Sequence, residues 1–201
     1  MLKTVPRTEW RAVAKAEGIE LGVVRGGGKG RGALIDSSDA AGRIEGVRLA
    51  PLAVRPDDRG YFQELFRWGP ESQGEGLAQG FAPAGRLQVS AALSYPGTIK
   101  AIHYHLRQAD LWSPVCGLLQ VMLYDLRTDS PTFGQTNTLY AGALRSWQIL
   151  IPPGVGHGYK VVGTEPALLV YATDQYYNPA DEGRLPWNDP DVNYDWETQR
   201  K

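Results

Sequence analysis

The stretch GTIKAIHYHLRQAD, residues 97–110, and the shorter stretch PPGVGH, residues 152–157, contain all three histidines of the 201-residue sequence. On an extended strand, side chains two residues apart point to the same side of a sheet, so His103 and His105 are predicted to share one face. A turn after His105 can bring the carboxyl group of Asp110 back to the same face. His157 follows a rigid Pro-Gly turn and can supply a third imidazole. The two stretches therefore predict β-structure that gathers imidazoles and one carboxyl group.

Short β-rich segments separated by turn residues continue this pattern through the sequence from residue 46 onward. Fourteen prolines and 24 glycines leave few windows long enough for a helix. Strands at this frequency, without alternating helices, predict an all-β protein with few helices: a sandwich, jelly roll or barrel. In the segment Leu118–Leu126, alternation predicts that one face is more buried than the other. The predicted strands are Val47–Val54, Tyr61–Phe66, Leu87–Leu93, Leu118–Leu126, Gln148–Ile151 and Ala167–Tyr171.

The first 45 residues differ from the rest and are predicted to form an N-terminal extension, with the main domain spanning residues 46–201. Within the extension, Thr8–Glu17 is the best helical candidate, because apolar residues recur at helical spacing and Gly18 can end the helix. The run Gly26–Gly32 lacks the spacing of a phosphate-binding loop, since Lys29 is followed by glycine. It is predicted to be a flexible connector or a hairpin tip.

Composition excludes several functional classes. Lysine and arginine total 21 and aspartate and glutamate 22, a formal net charge of −1, which argues against a nucleic-acid partner bound through bulk charge. No apolar stretch approaches the roughly 18 residues of a membrane-spanning helix, and no signal peptide is recognisable at the N-terminus. Cys116, the one cysteine, cannot form an intrachain disulfide, which predicts a cytoplasmic protein.

The two histidine stretches resemble the paired motifs of the cupin superfamily, whose fold is a jelly roll, or double-stranded β-helix barrel. In cupins, two His and a Glu of the first motif and a His of the second bind a divalent metal inside the barrel. The resemblance implies a metal-binding set of His103, His105, Asp110 and His157, with Asp110 in place of the Glu. Zn, Fe, Mn and Ni are all compatible with such ligands.

A second resemblance covers more of the chain, from about residue 46 to Trp196. The sequence is similar to the dTDP-4-dehydrorhamnose 3,5-epimerase family, a group of cupin enzymes of deoxysugar biosynthesis. It implies an isomerase acting on a nucleotide-linked 4-keto-6-deoxysugar without a cofactor. It also implies a homodimer in which parts of one subunit complete the barrel of the other. The motifs that carry the resemblance follow in family order: DRGYFQE (58–64), IHY (102–104), YDLR (124–127) with SPTFG (130–134), IPPGVGHGY (151–159) and WNDP (187–190).

The family resemblance also implies roles for individual residues. His103 would be the base that removes a proton beside the ketone, and Tyr171 the acid that returns a proton to the opposite face. Arg59 would pair with the diphosphate through its planar guanidinium. Lys100 stands where the family has an arginine. The predicted substrate-binding residues are Arg59, Glu64, Gln88, Lys100, His157, Tyr177 and Glu182.

Three departures from the family keep alternatives open. Asp110 stands where the family has a lysine that stabilises the enolate, and His105 where it has a glutamine. The family's C-terminal Ser-x-Lys-Asp motif, whose Asp orients the catalytic His, does not occur between Trp196 and Lys201. Without that Asp, the tautomer and orientation of His103 are not fixed unless Asp174 or another acid substitutes. The alternatives are a metal-dependent cupin acting on another small oxygenated molecule and a non-catalytic protein that binds a sugar nucleotide.

Overall fold

The computed structural model describes residues 5–16, 18–68, 76–78, 81 and 85–198. Two sheets and two hairpins make up the fold. The strands are β1 Trp10–Ala16, β2 Ile19–Val24, β3 Ala33–Leu34, β4 Arg48–Pro51, β5 Arg55–Asp57, β6 Gly60–Phe62, β7 Gln88–Ser94, β8 Ile99–His105, β9 Asp110–Cys116, β10 Leu118–Asp125, β11 Thr136–Gly142, β12 Trp147–Ile151, β13 Val155–Val161, β14 Ala167–Thr173 and β15 Glu182–Arg184. The six-stranded sheet has the order β15-β8-β13-β10-β11-β3, and the five-stranded sheet has the order β4-β12-β9-β14-β7.

The two large sheets pack face to face over one apolar core, which confirms the predicted all-β jelly roll of the cupin type. Val121 of the six-stranded sheet and Ile149 of the five-stranded sheet are fully buried in this core. Burying such a side chain contributes about 2 kcal/mol, so the core accounts for a large share of the stability. In the described part of the chain, no helix is long and apolar enough to cross a bilayer.

A second apolar core covers the outer face of the six-stranded sheet. Met122 and Tyr124 point to this side from β10 and pack with Leu21 and Trp196. The prediction that one face of Leu118–Leu126 is more buried is therefore wrong, because both faces of β10 are covered. A single strand does not reveal which distant segments will pack on its outer face.

The helix predicted at Thr8–Glu17 is also wrong in the described residues. A three-residue 3-10 turn at Arg7–Glu9 leads directly into strand β1, which pairs with β2 as an antiparallel hairpin. Gly18 has φ +81° and lies in the turn of this hairpin. A register shift between Ala12 and Ala14 produces the apparent helical spacing, because a bulge inserts one residue into the alternation.

The glycine-rich run connects β2 to β3 and is held by the C-terminal segment. Gly30 forms a parallel bridge with Tyr194, and the Gly27 carbonyl accepts a hydrogen bond from Asn193. A Cβ atom at Gly27 would lie 2.1 Å from the Asp191 carbonyl oxygen, so this contact requires glycine. The division between residues 1–45 and 46–201 stays a prediction.

Candidate active site

A cavity of about 300 Å³ opens at one end of the core between the two large sheets. Trp112, Tyr159 and Leu169 belong both to the core and to the cavity wall. The remaining lining residues come from six strands, the turn before β9 and the segment between β14 and β15: Gln88, Ala92, Lys100, His103, His105, Gln108, Asp110, His157, Gly158, Tyr171, Thr173, Tyr177, Glu182 and Arg184. Most of these side chains are polar, so the cavity is suited to a polar ligand.

Strand pairing brings the histidines together. His103 of β8 lies opposite His157 of β13, and β15 pairs with the other edge of β8 so that Glu182 lies opposite His105. As the alternation predicts, His103 and His105 line the same cavity. A register shift in the pairing of β8 with β13 brings Lys100 to this side as well.

Three of the four predicted metal-binding residues form a compact cluster. The Nε2 atom of His105 lies 3.8 Å from Oδ1 of Asp110, and Nε2 of His157 lies 3.7 Å from Oδ2. The ligand atoms of all three side chains lie within 4.8 Å of one another, and all three are buried. His103 contributes no atom to this group, so the four-residue set predicted from the sequence is not assembled as predicted.

Asp110 is held by two further side chains that sequence reasoning did not select. Gln108 Nε2 donates to Oδ1 at 2.8 Å, and Trp112 Nε1 donates to Oδ2 at 3.0 Å. The Trp112 ring also packs edge-on against His157 with centroids 5.3 Å apart. Gln108 and Trp112 each lie two positions from Asp110 in the sequence. Because side chains two positions apart on a strand share a face, this spacing on β9 could have indicated Trp112 as a neighbour of Asp110. Burial lowers the pKa of His157 to about 4, opposed by the negative charge of Asp110.

His103 lies beside this cluster and faces a different carboxylate. Its Nδ1 atom lies 3.6 Å from Oε1 of Glu182, which also accepts a hydrogen bond from Arg184 Nε at 2.7 Å. Burial, and then the positive charge of Arg184, lower the pKa of His103. The imidazole is therefore neutral at pH 7 and has a lone pair with which to accept a proton.

Asp174, one of the acids that could substitute for the family's orienting Asp, lies outside the cavity. Asp174 accepts a hydrogen bond from the backbone nitrogen of Ala109 at 2.8 Å and does not line the cavity. Burial raises the pKa of Asp174. Among the described residues, Glu182 is instead the carboxylate that faces His103. Glu182 is therefore the other acid that can take this role, because the pairing of β15 with β8 brings it close to His103.

Tyr171 reaches the cavity from the five-stranded sheet, where β14 lies between β7 and β9. It is half-buried against the core. Gln88 accepts a hydrogen bond from the backbone nitrogen of Tyr177 at 3.2 Å, which ties the end of β14 to β7. The predicted residues that this chain brings to the cavity are Gln88, Lys100, His103, His157, Tyr171, Tyr177 and Glu182.

Arg59 and Glu64 do not reach the cavity of this chain. Arg59 belongs to the turn of the β5–β6 hairpin, where its exposed guanidinium pairs with Asp57 at 2.7 Å. Glu64 lies after β6 and pairs with Arg67. The hairpin of β5 and β6 is a separate small sheet that does not join the two large sheets, so the substrate-binding roles of Arg59 and Glu64 stay predictions.

Comparisons with known proteins agree with this architecture. A family model for dTDP-4-dehydrorhamnose 3,5-epimerase matches residues 41–201. The spore coat polysaccharide biosynthesis protein SpsL of Bacillus subtilis is 44% identical over 158 residues, 78% of this chain and 98% of SpsL. The probable low-salt glycan biosynthesis epimerase Agl13 of Haloferax volcanii is 34% identical over 161 residues, 78% of this chain and 96% of Agl13.

A solved structure extends the likeness to three dimensions. The 3′-monoepimerase ChmJ from Streptomyces bikiniensis, in complex with dTDP-quinovose, is 30% identical, has a TM-score of 0.63 and matches 74% of each chain. The match to the family model covers most of the sequence and includes every strand that lines the cavity. The chain belongs to the dTDP-4-dehydrorhamnose 3,5-epimerase family.

Proposed function

We propose that the protein epimerises a dTDP-linked 4-keto-6-deoxysugar by moving a proton at a carbon beside the ketone. The observation that carries the proposal is the presence of His103 and Tyr171 in one cavity, on strands of the two opposed sheets. Inversion requires that a proton leaves one face of the carbon and returns to the other, so acid and base must stand on opposite sides of the substrate. The ligand dTDP-quinovose in the related 3′-monoepimerase supports the substrate class.

In the proposed reaction, neutral His103 accepts the proton as the carbon–hydrogen bond breaks. The electron pair moves toward the ketone oxygen and forms an enolate. The Tyr171 hydroxyl then donates a proton to the opposite face, the phenolate is reprotonated from solvent, and His103 releases the abstracted proton to solvent. No electrons are gained or lost overall, so the reaction itself needs no redox cofactor. Lys100 and Arg184 supply positive charge in the cavity for the developing oxyanion.

We further propose that the nucleotide sugar is held by residues of two subunits. Gln88, Tyr177 and Glu182 line the cavity of the same chain. Arg59, exposed on the β5–β6 hairpin, and Glu64, half-buried after it, would reach the cavity of a second copy in a homodimer. Arginine suits the diphosphate because its planar donors match two phosphate oxygens at once. The free thiol of Cys116 favours a cytoplasmic location for this dimer.

Solvent deuterium exchange tests the proposed chemistry. The protein is incubated in D₂O with dTDP-4-keto-6-deoxyglucose, and NMR follows deuterium at the carbons flanking the ketone. We expect exchange with the wild-type protein and none with His103→Asn, which lacks the base. Tyr171→Phe should retain exchange on the His103 side but form epimer more slowly by about 100-fold or more, because proton return to the other face is lost.

The deuterium-exchange experiment also distinguishes an epimerase from a non-catalytic protein that binds a sugar nucleotide. Absence of exchange at high concentration of the wild-type protein would contradict the epimerase proposal. If the intact nucleotide sugar nevertheless bound with a measurable heat, the protein would be a sugar-nucleotide-binding member of the family.

A further inference from the structure

The cluster of His105, Asp110 and His157 contains three electron-pair donors that point toward one another. These side chains are at most 9% exposed, so bulk water does not separate them. Their nearest atoms are 3.7 and 3.8 Å apart, too long for direct hydrogen bonds. The protons on the two imidazoles decide what this arrangement can bind.

The tautomer of His157 is set by the backbone. Its Nδ1 atom lies 3.0 Å from the carbonyl oxygen of Val155. A carbonyl oxygen only accepts hydrogen bonds, so Nδ1 carries the proton and the neutral ring has its lone pair on Nε2. That lone pair faces Oδ2 of Asp110.

The tautomer of His105 follows from Gln108. The Gln108 amide nitrogen donates to Asp110 and also lies 3.3 Å from Nε2 of His105. The opposite amide orientation would place its oxygen against the carboxylate, so the nitrogen is the atom between these groups. Its second proton points to His105, so Nε2 of His105 is unprotonated and accepts this hydrogen bond through its lone pair. An ion bound at Nε2 would take the place of the bond from Gln108.

Two imidazole lone pairs thus converge on one carboxylate in a buried pocket. A proton shared between one imidazole nitrogen and one carboxylate oxygen would pair only those two atoms. A divalent cation can accept electron pairs from all three residues. Ligand atoms bound to one ion at about 2.1 Å lie about 3 to 4.2 Å apart, depending on the angle at the ion. The separations of 3.8 and 3.7 Å, from the two imidazole nitrogens to Oδ1 and Oδ2 of Asp110, fall inside this range. One ligand atom from each of the three residues lies within 4.8 Å of the others, so binding through one oxygen requires only a small shift of the side chains.

We propose that His105, Asp110 and His157 bind a divalent transition-metal ion. Two nitrogens and one carboxylate oxygen form a donor set that Zn²⁺, Fe²⁺, Mn²⁺ and Ni²⁺ accept. The Nδ1–H bond from His157 to Val155 is the kind of outer contact that fixes the orientation of a metal-binding imidazole. His103 lies outside the set and stays free for proton transfer.

A cation at this position has a consequence that rests on the proposed function. Asp110 stands where the family resemblance places a lysine, so a negative charge replaces a positive one beside the site of proton abstraction. A divalent ion coordinated by Asp110 restores net positive charge there and can polarise a carbonyl oxygen of the substrate.

Metal binding is measured on protein purified without a polyhistidine tag, stripped with a chelator and reloaded with Zn²⁺ or Co²⁺ alone. We expect about one ion per chain by elemental mass spectrometry and visible absorption bands from bound Co²⁺. His105→Asn and Asp110→Asn should each weaken Co²⁺ binding about 100-fold or more. His103→Asn is the matched control, since it removes an imidazole of the same cavity outside the set, and should bind Co²⁺ like the wild-type protein.

Either of two results would overturn the metal site: wild-type protein that holds no Zn²⁺ or Co²⁺ above the stripped background, or equal Co²⁺ affinity in all four proteins. Circular dichroism verifies that each variant is folded, and the two ligand variants give independent tests. Deuterium exchange on the stripped protein is scored separately. Exchange without metal would uphold the epimerase proposal whatever the outcome for Co²⁺, and bound Co²⁺ without any exchange would uphold the metal site alone.

Discussion

Asp110 determines the character of the cavity at the scale of single residues. It is 4% exposed and accepts hydrogen bonds from Gln108 and Trp112. Each bond to a buried charged group contributes about 1.5–3 kcal/mol, because the unpaired carboxylate would be poorly solvated. Trp112 therefore stabilises the fold and also keeps Asp110 turned toward the two imidazoles.

The replacement Trp112→Phe tests this role. Phenylalanine preserves an aromatic ring but lacks the Nε1 donor, so Asp110 loses one of its two hydrogen bonds. We expect the free energy of unfolding in urea to fall by about 2 kcal/mol or more. Trp147→Phe, at a half-buried position against Arg145, is the control and should cost less than about 1 kcal/mol. Equal losses in the two variants would exclude a special contribution from the bond to Asp110.

At the scale of elements, the β1–β2 hairpin closes the outer side of the six-stranded sheet. Arg11 of β1 pairs with Asp189 and Asp191 in the C-terminal segment, so the first and last parts of the described chain hold each other. Tyr124 of β10 holds the end of β2, because its hydroxyl accepts a hydrogen bond from the Val24 backbone nitrogen at 3.2 Å. Burial raises the pKa of Tyr124 to about 12.

This pKa predicts an alkaline loss of stability. Between the unfolded value of about 10 and the folded value of about 12, the native state holds a proton that the unfolded chain has released. The stabilisation from the Tyr124 proton is complete below about pH 10 and is lost as pH rises through about 12. The free energy of unfolding falls by at most about 3 kcal/mol over this range. Urea unfolding at pH 8, 10 and 11 should show a steeper decline for the wild-type protein than for Tyr124→Phe. Parallel declines would contradict the assignment to Tyr124.

At the scale of the whole molecule, the β5–β6 hairpin is a small sheet separate from the two large ones. Tyr61 and Phe62 on the hairpin are 52% and 62% exposed, although both are aromatic. Tyr61 is tied to the barrel by a hydrogen bond from its hydroxyl to the Val115 carbonyl oxygen at 2.8 Å. An anchored hairpin with exposed aromatic side chains is suited to contact a second copy, as the proposed homodimer requires.

Mixing two inactive variants tests whether Arg59 acts across this dimer. In a mixed dimer of Arg59→Ala and His103→Asn chains, one cavity has an intact His103 and receives an intact Arg59 from the other subunit. Random exchange of subunits should restore about a quarter of wild-type epimerase activity, since half of the dimers are mixed and each has one complete cavity. Activity no higher than that of the separate variants would place Arg59 in its own chain's site. Analytical ultracentrifugation verifies the dimer and the exchange.

The sequence by itself determined the all-β class, the family and the shared side of His103 and His105, because strand alternation and turn residues act over a few positions. Only the tertiary structure decided which groups meet. The pairing of β15 with β8 brings Glu182, instead of Asp174, toward His103. The packing of the two sheets selects His105, Asp110 and His157 and leaves His103 outside their cluster. The bulge in β1 imitates helical spacing and misleads a local interpretation. The contacts of Glu182 with His103 and of His157 with Asp110 join residues tens of positions apart. The packing of the strands sets their geometry, and no local pattern of the sequence encodes it.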